Sequence, residues 1–139
     1  MGSIGFNAQQ IILLVALGAS LLTVTRAETV IVGGSENWRY GYNYTEWAAN
    51  TAPFYFHDTL VFKYENSTPP HSVYLLPNLW SYSTCDFSKA KLLANPTQVK
   101  GDGFEFVLNQ WRVFYFASGE ANDCKEGLMK MVIVPWPRF

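Results

Sequence analysis

Histidine is nearly missing from this 139-residue chain: there are two, His57 and His71, and none after position 71. Cysteine is equally sparse, with Cys85 and Cys124 alone. Zinc takes three or four nitrogen, sulfur or oxygen ligands, and two distant imidazoles plus a cysteine pair do not supply such a set. Charged residues make up only 15% of the chain and balance to a net charge of −1, so there is no basic field for nucleic acid. No apolar run reaches the ~20 residues that span a bilayer. Strong helical periodicity is missing as well, which removes the bundle folds.

The longest apolar stretch lies at the N-terminus, over residues 11–22. A dozen residues match the hydrophobic core of a secretory signal, and Thr25-Arg26-Ala27 puts small residues at the two positions signal peptidase reads. No Lys or Arg precedes that core, so the α-amino group supplies the positive end. The expected division is a signal peptide over 1–27 and one domain over 28–139. Removing the leader and Arg26 leaves nine basic against eleven acidic residues, a net charge of −2.

In a secreted chain an even cysteine count reads as a disulfide, here Cys85 with Cys124. The competing assignment, a free thiol or metal ligand, strands the other cysteine in an oxidising compartment. Two sequons, Asn43-Tyr44-Thr45 and Asn66-Ser67-Thr68, sit among turn formers and are expected to carry N-glycans. Asn95 precedes Pro96 and is not a sequon. Residues 132–139 contain neither a polar spacer nor a long apolar tail, so no glycolipid anchor is expected.

The remaining chain reads as short strands punctuated by turns. Strands are expected over 29–32, 59–64, 71–76, 104–108, 112–116 and 128–134, with 104–108 and 112–116 paired as a hairpin across Asn109-Gln110. Period two places Leu60 and Phe62 on one, inward face. Residues 43–49 read as a short helix or irregular segment, 79–86 as a helical turn, and 86–103 as loops with a short strand. Aromatics make up 17% of the chain, enough to build most of a small core from rings. The pattern predicts an all-β Greek-key sandwich with short helical segments.

Catalytic constellations are poorly represented. Neighbours in an extended chain point to opposite faces, so Asp58 does not orient His57 for a hydrolase triad; His57 reads as a surface histidine. The acids are scattered singly, and Asp123 and Glu126 beside Cys124 read as solvated loop charges. A blue-copper site needs two imidazoles, a thiolate and a weak axial Met or Gln, with three of these ligands from one loop between the last two strands. That loop contains Cys124 and Met129 but no histidine, so the centre is incomplete.

The chain nonetheless resembles the phytocyanins, plant extracellular cupredoxins that include the plantacyanins, uclacyanins, stellacyanins and early nodulin-like proteins. Val32-Gly33-Gly34 with Trp38, then Trp47, are similar to the family's opening. His57-Asp58-Thr59-Leu60-Val61-Phe62-Lys63-Tyr64 resembles its Gly-Asp-x-Leu-x-Phe-x-Tyr strand, with His57 in place of Gly. His71-Ser72-Val73 resembles the strand with the first copper histidine, Tyr82 and Cys85 the Tyr-x-x-Cys segment, and Cys124-Lys125 with Gly127 and Lys130 the last hairpin. The resemblance implies a cupredoxin-like fold and a disulfide between Cys85 and Cys124. It also implies a copper loop of Tyr-Phe-Ile-Cys, then Gly-His-Cys, then an axial residue. Here Ser118 stands at the thiolate position, Asp123 at the second histidine, and Leu128, or Met129 with a one-residue shift, near the axial position. Of the ligands only His71 remains.

The expectation is therefore a secreted, non-enzymatic cupredoxin-fold protein without copper, similar to the copper-less early nodulin-like members but lacking their Pro/Ser-rich stalk and anchor signal. Its place would be the apoplast, cell wall or outer face of the plasma membrane. Its partner would be a cell-wall glycan, peptide or protein, met by a surface around His71, Ser118, Asp123 and Met129, with exposed rings such as Trp80. The alternative function is copper-dependent electron transfer, the family's activity.

Overall fold

The structure, a computed structural model, describes residues 27–65 and 69–138. Residues 1–26 of the expected leader and the sequon at Asn66 lie outside the described residues.

Strands β1 (Thr29–Ile31), β3 (Thr59–Phe62) and β6 (Phe104–Val107) form a three-stranded sheet in the order β1-β3-β6, with β1 parallel to β3 and β6 antiparallel to it. A four-stranded antiparallel sheet runs β5-β4-β7-β8, from β5 (Lys91–Ala94), β4 (Val73–Leu76), β7 (Phe114–Ala117) and β8 (Lys130–Ile133). A short parallel pair, β2 (Phe54–Tyr55) with β9 (Pro135–Trp136), ties the last strand to the chain just ahead of β3. Helices are α1 (Tyr44–Thr51), α2 (Leu79–Thr84) and α3 (Pro96–Val99).

The two larger sheets meet through rings. Phe62 of β3 lies 5.2 Å from Phe116 of β7, and Phe106 of β6 contacts both Phe114 and Phe116 edge-on. Such pairs add to plain apolar burial because ring edges and faces carry opposite partial charge. Trp38, Tyr44, Leu60, Met131 and Ile133 complete the same buried cluster, confirming the inward face expected for Leu60 and Phe62.

One pairing differs from expectation. Residues 104–108 and 112–116 do not form a hairpin: β6 pairs with β3 and β7 with β4 and β8. Asn109-Gln110 instead begins a crossover between sheets. A two-residue turn signal allows a hairpin, but the apolar sides of β6 and β7 face each other across the core rather than sharing one sheet. Within residues 86–103 the expected short strand is β5, and α3 is order beyond that expectation. Asn95 Oδ1 accepts a hydrogen bond from the Gln98 amide while Gln98 Oε1 accepts one from the Asn95 amide, a reciprocal cap with Pro96 at the first helical position.

Sequon residue Asn43 is exposed and caps α1, accepting from the Glu46 amide at 3.0 Å. It belongs to a helix start rather than an irregular loop. Among the described residues no helix is long and apolar enough to cross a membrane.

Candidate functional site

Strand order brings the site together. Antiparallel pairing of β7 with both β4 and β8 sets the start of β4, the end of β7 and the start of β8 at one end of the sheet. His71 and Ser72 precede β4, Ser118 follows β7, and Met129 precedes β8. The Ser118 amide donates to the Met129 carbonyl at 3.0 Å, extending the β7–β8 ladder by one step.

Asp123 reaches this end from the loop between β7 and β8. Its Oδ2 accepts from the Ser118 hydroxyl at 2.7 Å and lies 2.7 Å from His71 Nδ1. An ionised carboxylate only accepts, so Nδ1 carries the proton of this contact. The Ser118 hydroxyl oxygen in turn accepts from the Ser72 amide at 3.1 Å, and the Ser72 hydroxyl accepts from the Gly119 amide at 2.9 Å. Trp38 Nε1 donates to the Ser72 carbonyl at 2.9 Å. Tyr64 packs edge-on to the His71 ring, with centroids 5.1 Å apart. His71, Ser118, Asp123 and Met129 are at most 5% exposed. Buried polar groups are tolerated because each has found a partner.

The loop delivering Asp123 is fixed at several points. Glu126 and Gly127 amides both donate to the Asn122 carbonyl, closing a turn, and the Met129 amide donates to the Asp123 carbonyl at 2.9 Å. Glycine is required at 127, where a Cβ would come within 2.6 Å of the Asp123 carbonyl oxygen. Cys124 is bonded to Cys85, the residue capping α2, across 39 positions of sequence. This is the expected pairing, and it anchors the neighbour of Asp123 to a helix end.

Two expectations for this region change. Asp123 is not a solvated loop charge; it is the acceptor at the centre of a buried network. The four residues also do not form an exposed contact surface: all are buried, and His71 and Ser118 both bond to Asp123. Met129 is fully buried in the main core, whereas Leu128 is 40% exposed with φ 61°. Met129 rather than Leu128 is therefore the residue directed inward next to the network.

These donors do not fit a blue-copper centre. Soft thiolate is replaced by hydroxyl, the second imidazole by carboxylate, and the remaining imidazole already donates to that carboxylate. Among the described residues there is no group of three or more His, Cys, Asp or Glu able to hold a metal ion.

Elsewhere, His57 is exposed and adopts φ 78°, a left-handed conformation that favours glycine. This explains why a glycine suits that position in the Gly-Asp-x-Leu pattern. The adjoining Asp58 is 3% exposed: Oδ1 accepts from the Glu28 amide and from Arg138 Nη2, and Oδ2 from the Tyr55 amide. Sequence reasoning missed this joint, although the Asp at the start of a strand was its signal. The prominent exposed rings are Trp80 on α2, Trp111 and Trp136. Trp111 stacks parallel on Phe56 at 4.2 Å.

Comparison with known proteins agrees with this architecture. Residues 37–128 match the plastocyanin-like domain family. Early nodulin-like protein 2 of Arabidopsis thaliana is 34% identical over 119 residues, covering 84% of this chain and 31% of that protein. Early nodulin-55-2 of Glycine max is 31% identical over 134 residues, covering 92% of this chain and 66% of that protein. The chain thus spans about a third and about two thirds of these relatives' lengths. Among solved structures, cucumber basic protein, described as a blue copper protein, matches with a TM-score of 0.60 at 26% identity, covering 78% of this chain and 99% of that one. Cucumber stellacyanin shares the fold, with a TM-score of 0.62 at 21% identity, covering 81% of this chain and 97% of that one. From matched domain, disulfide and strand order together, the chain belongs to the plastocyanin-like family of cupredoxin-fold proteins, among the phytocyanins and their early nodulin-like members.

Proposed function

We propose that this is a secreted, glycosylated cupredoxin-fold module that carries no copper and acts outside the cell by recognition, binding a cell-wall glycan, peptide or protein, rather than by electron transfer or catalysis. The observation that carries this reading is the Asp123 carboxylate bonded to both His71 and Ser118 in a closed, buried network. A group already satisfied by its neighbours gains little from a metal, and a serine hydroxyl offers no thiolate for electron transfer.

Burial of that network moves the contacts outward, to the exposed rings Trp80, beside exposed Leu79 on α2, and Trp111 on its Phe56 support. Exposed rings held in place supply contact area at small entropic cost. Titrating the mature protein against cell-wall oligosaccharides and extracellular peptides tests the reading. It predicts saturable binding that weakens at least about tenfold, roughly 1.4 kcal/mol, in Trp80→Ala or Trp111→Ala. Absence of saturable binding across both ligand classes would contradict it.

A further inference from the structure

The Asp58 joint lies where leader removal would change a charge. The Glu28 amide nitrogen is 3.0 Å from Asp58 Oδ1, and Arg138 Nη2 approaches the same oxygen at 3.2 Å. The Glu28 carbonyl accepts from the Thr59 amide at 2.9 Å, so residue 28 is held on both sides of its α-carbon. Ala27 is exposed, and β1 starts at Thr29. We propose that Asp58 is the built acceptor of the new N-terminus: cleavage after Ala27 turns the Glu28 amide into an α-ammonium that forms an ion pair with this buried carboxylate, clamping the start of the domain and the segment after β9 to one residue.

In the hydrolysis, water adds OH to the Ala27 carbonyl carbon and H to the Glu28 nitrogen as the C–N bond breaks; the amine then takes a solvent proton. The nitrogen passes from one neutral donor to three charged ones, so a bond in which only the acceptor is charged becomes an ion pair between two charged groups. Arg138, whose guanidinium lies over the Tyr55 ring at 4.1 Å, brings the segment after β9 to the same carboxylate. With β2 pairing β9, the segment before β1 and the segment after β9 share an anchor. The inference rests on the secreted reading above, specifically on cleavage after Ala27.

N-terminal sequencing of the protein secreted by plant cells is the first arm: Glu28 is the expected first residue, and any other start overturns the proposal. The second arm compares Tm for the domain starting at Glu28, the same chain acetylated at Glu28, and the chain retaining Ala27. Both altered forms are expected to melt about 3–5 °C lower, and Asp58→Asn to abolish the differences. Equal Tm values in the three forms overturn the clamp while leaving leader cleavage and ligand recognition standing. Because Asp58→Asn also loses the Tyr55 and Arg138 bonds and can fail to fold, reductive dimethylation of the unsubstituted protein provides a further reading. The Glu28 amine is expected to react about tenfold more slowly at neutral pH in the folded than in the urea-unfolded chain, the factor of one pKa unit. Equal rates overturn the ion pair.

Discussion

His71 Nδ1 and Asp123 Oδ2 lie 2.7 Å apart, 52 residues distant in sequence and both buried. The same oxygen accepts from Ser118. Asp123→Ala strands both donors, and breaking a buried charged contact costs about 3 kcal/mol. Asp123→Asn keeps the shape and one acceptor and costs less, about 1–2 kcal/mol. Urea unfolding checks this: the midpoint falls in that order while the slope holds. A loss below about 0.5 kcal/mol in Asp123→Ala, the size of an ordinary surface substitution, would count against the network.

Cys85–Cys124 closes a 39-residue separation. In the chain-entropy account such a loop is worth about 4 kcal/mol. Cys85→Ser with Cys124→Ser is expected to lower stability by about that amount in denaturant titration. Amide exchange should quicken most in residues 119–129, since the bond anchors the neighbour of Asp123. Uniform quickening across the domain would show that the bond does not hold that loop in particular.

His57 is a non-glycine residue at φ 78°. A left-handed backbone costs an L-residue roughly 1–2 kcal/mol. His57→Gly is expected to stabilise by about 0.5–1 kcal/mol after subtracting the entropy glycine loses on folding. Differential scanning calorimetry reads this as a raised Tm; a lowered Tm would assign the ring contact with Phe56 the larger share.

Alkaline behaviour follows from two phenols. Burial pushes Tyr44 well above its ordinary value of 10.0; its hydroxyl donates to the Asn37 carbonyl and accepts from the Arg39 amide. Burial also raises Tyr82, against an opposing hydrogen bond to the Thr45 hydroxyl. Above pH 10.0 the unfolded chain loses protons that the folded phenols keep, so stability present below that pH declines as pH rises through it. Lys130 acts in the other direction, because burial lowers it from 10.5 and the folded ammonium releases its proton first. With two phenols against one amine, Tm is expected to fall between about pH 10 and 12, less steeply in Tyr44→Phe. A flat profile over that window would contradict the burial of both rings.

Much of the fold was legible because period-two patterning reports one buried face directly, as at Leu60 and Phe62. Pairing was less so: Asn109-Gln110 carries turn chemistry, but which sheet each flanking strand joins depends on ring packing over long separations. The helix at Pro96–Val99 was not read: its signal, Asn95, Pro96 and Gln98, was concealed in a polar, mixed stretch. At the site, substitution at the ligand positions could be read from residue types. The bond among their replacements could not, since Asp123 beside Lys125 and Glu126 has the composition of a solvated loop. Its burial comes from the meeting of three strand ends and from a turn that has no room for a Cβ at Gly127.

The central claim, a cupredoxin fold whose copper position is filled by a hydrogen-bonded network, is tested most directly by visible absorption during Cu(II) titration of the mature protein, with metal content measured after dialysis. The account predicts a colourless protein that retains no stoichiometric copper. Ser118→Cys with Asp123→His restores thiolate and imidazole beside His71 and should develop an intense thiolate-to-copper band. A blue, stoichiometric copper complex of the unsubstituted protein would contradict the account.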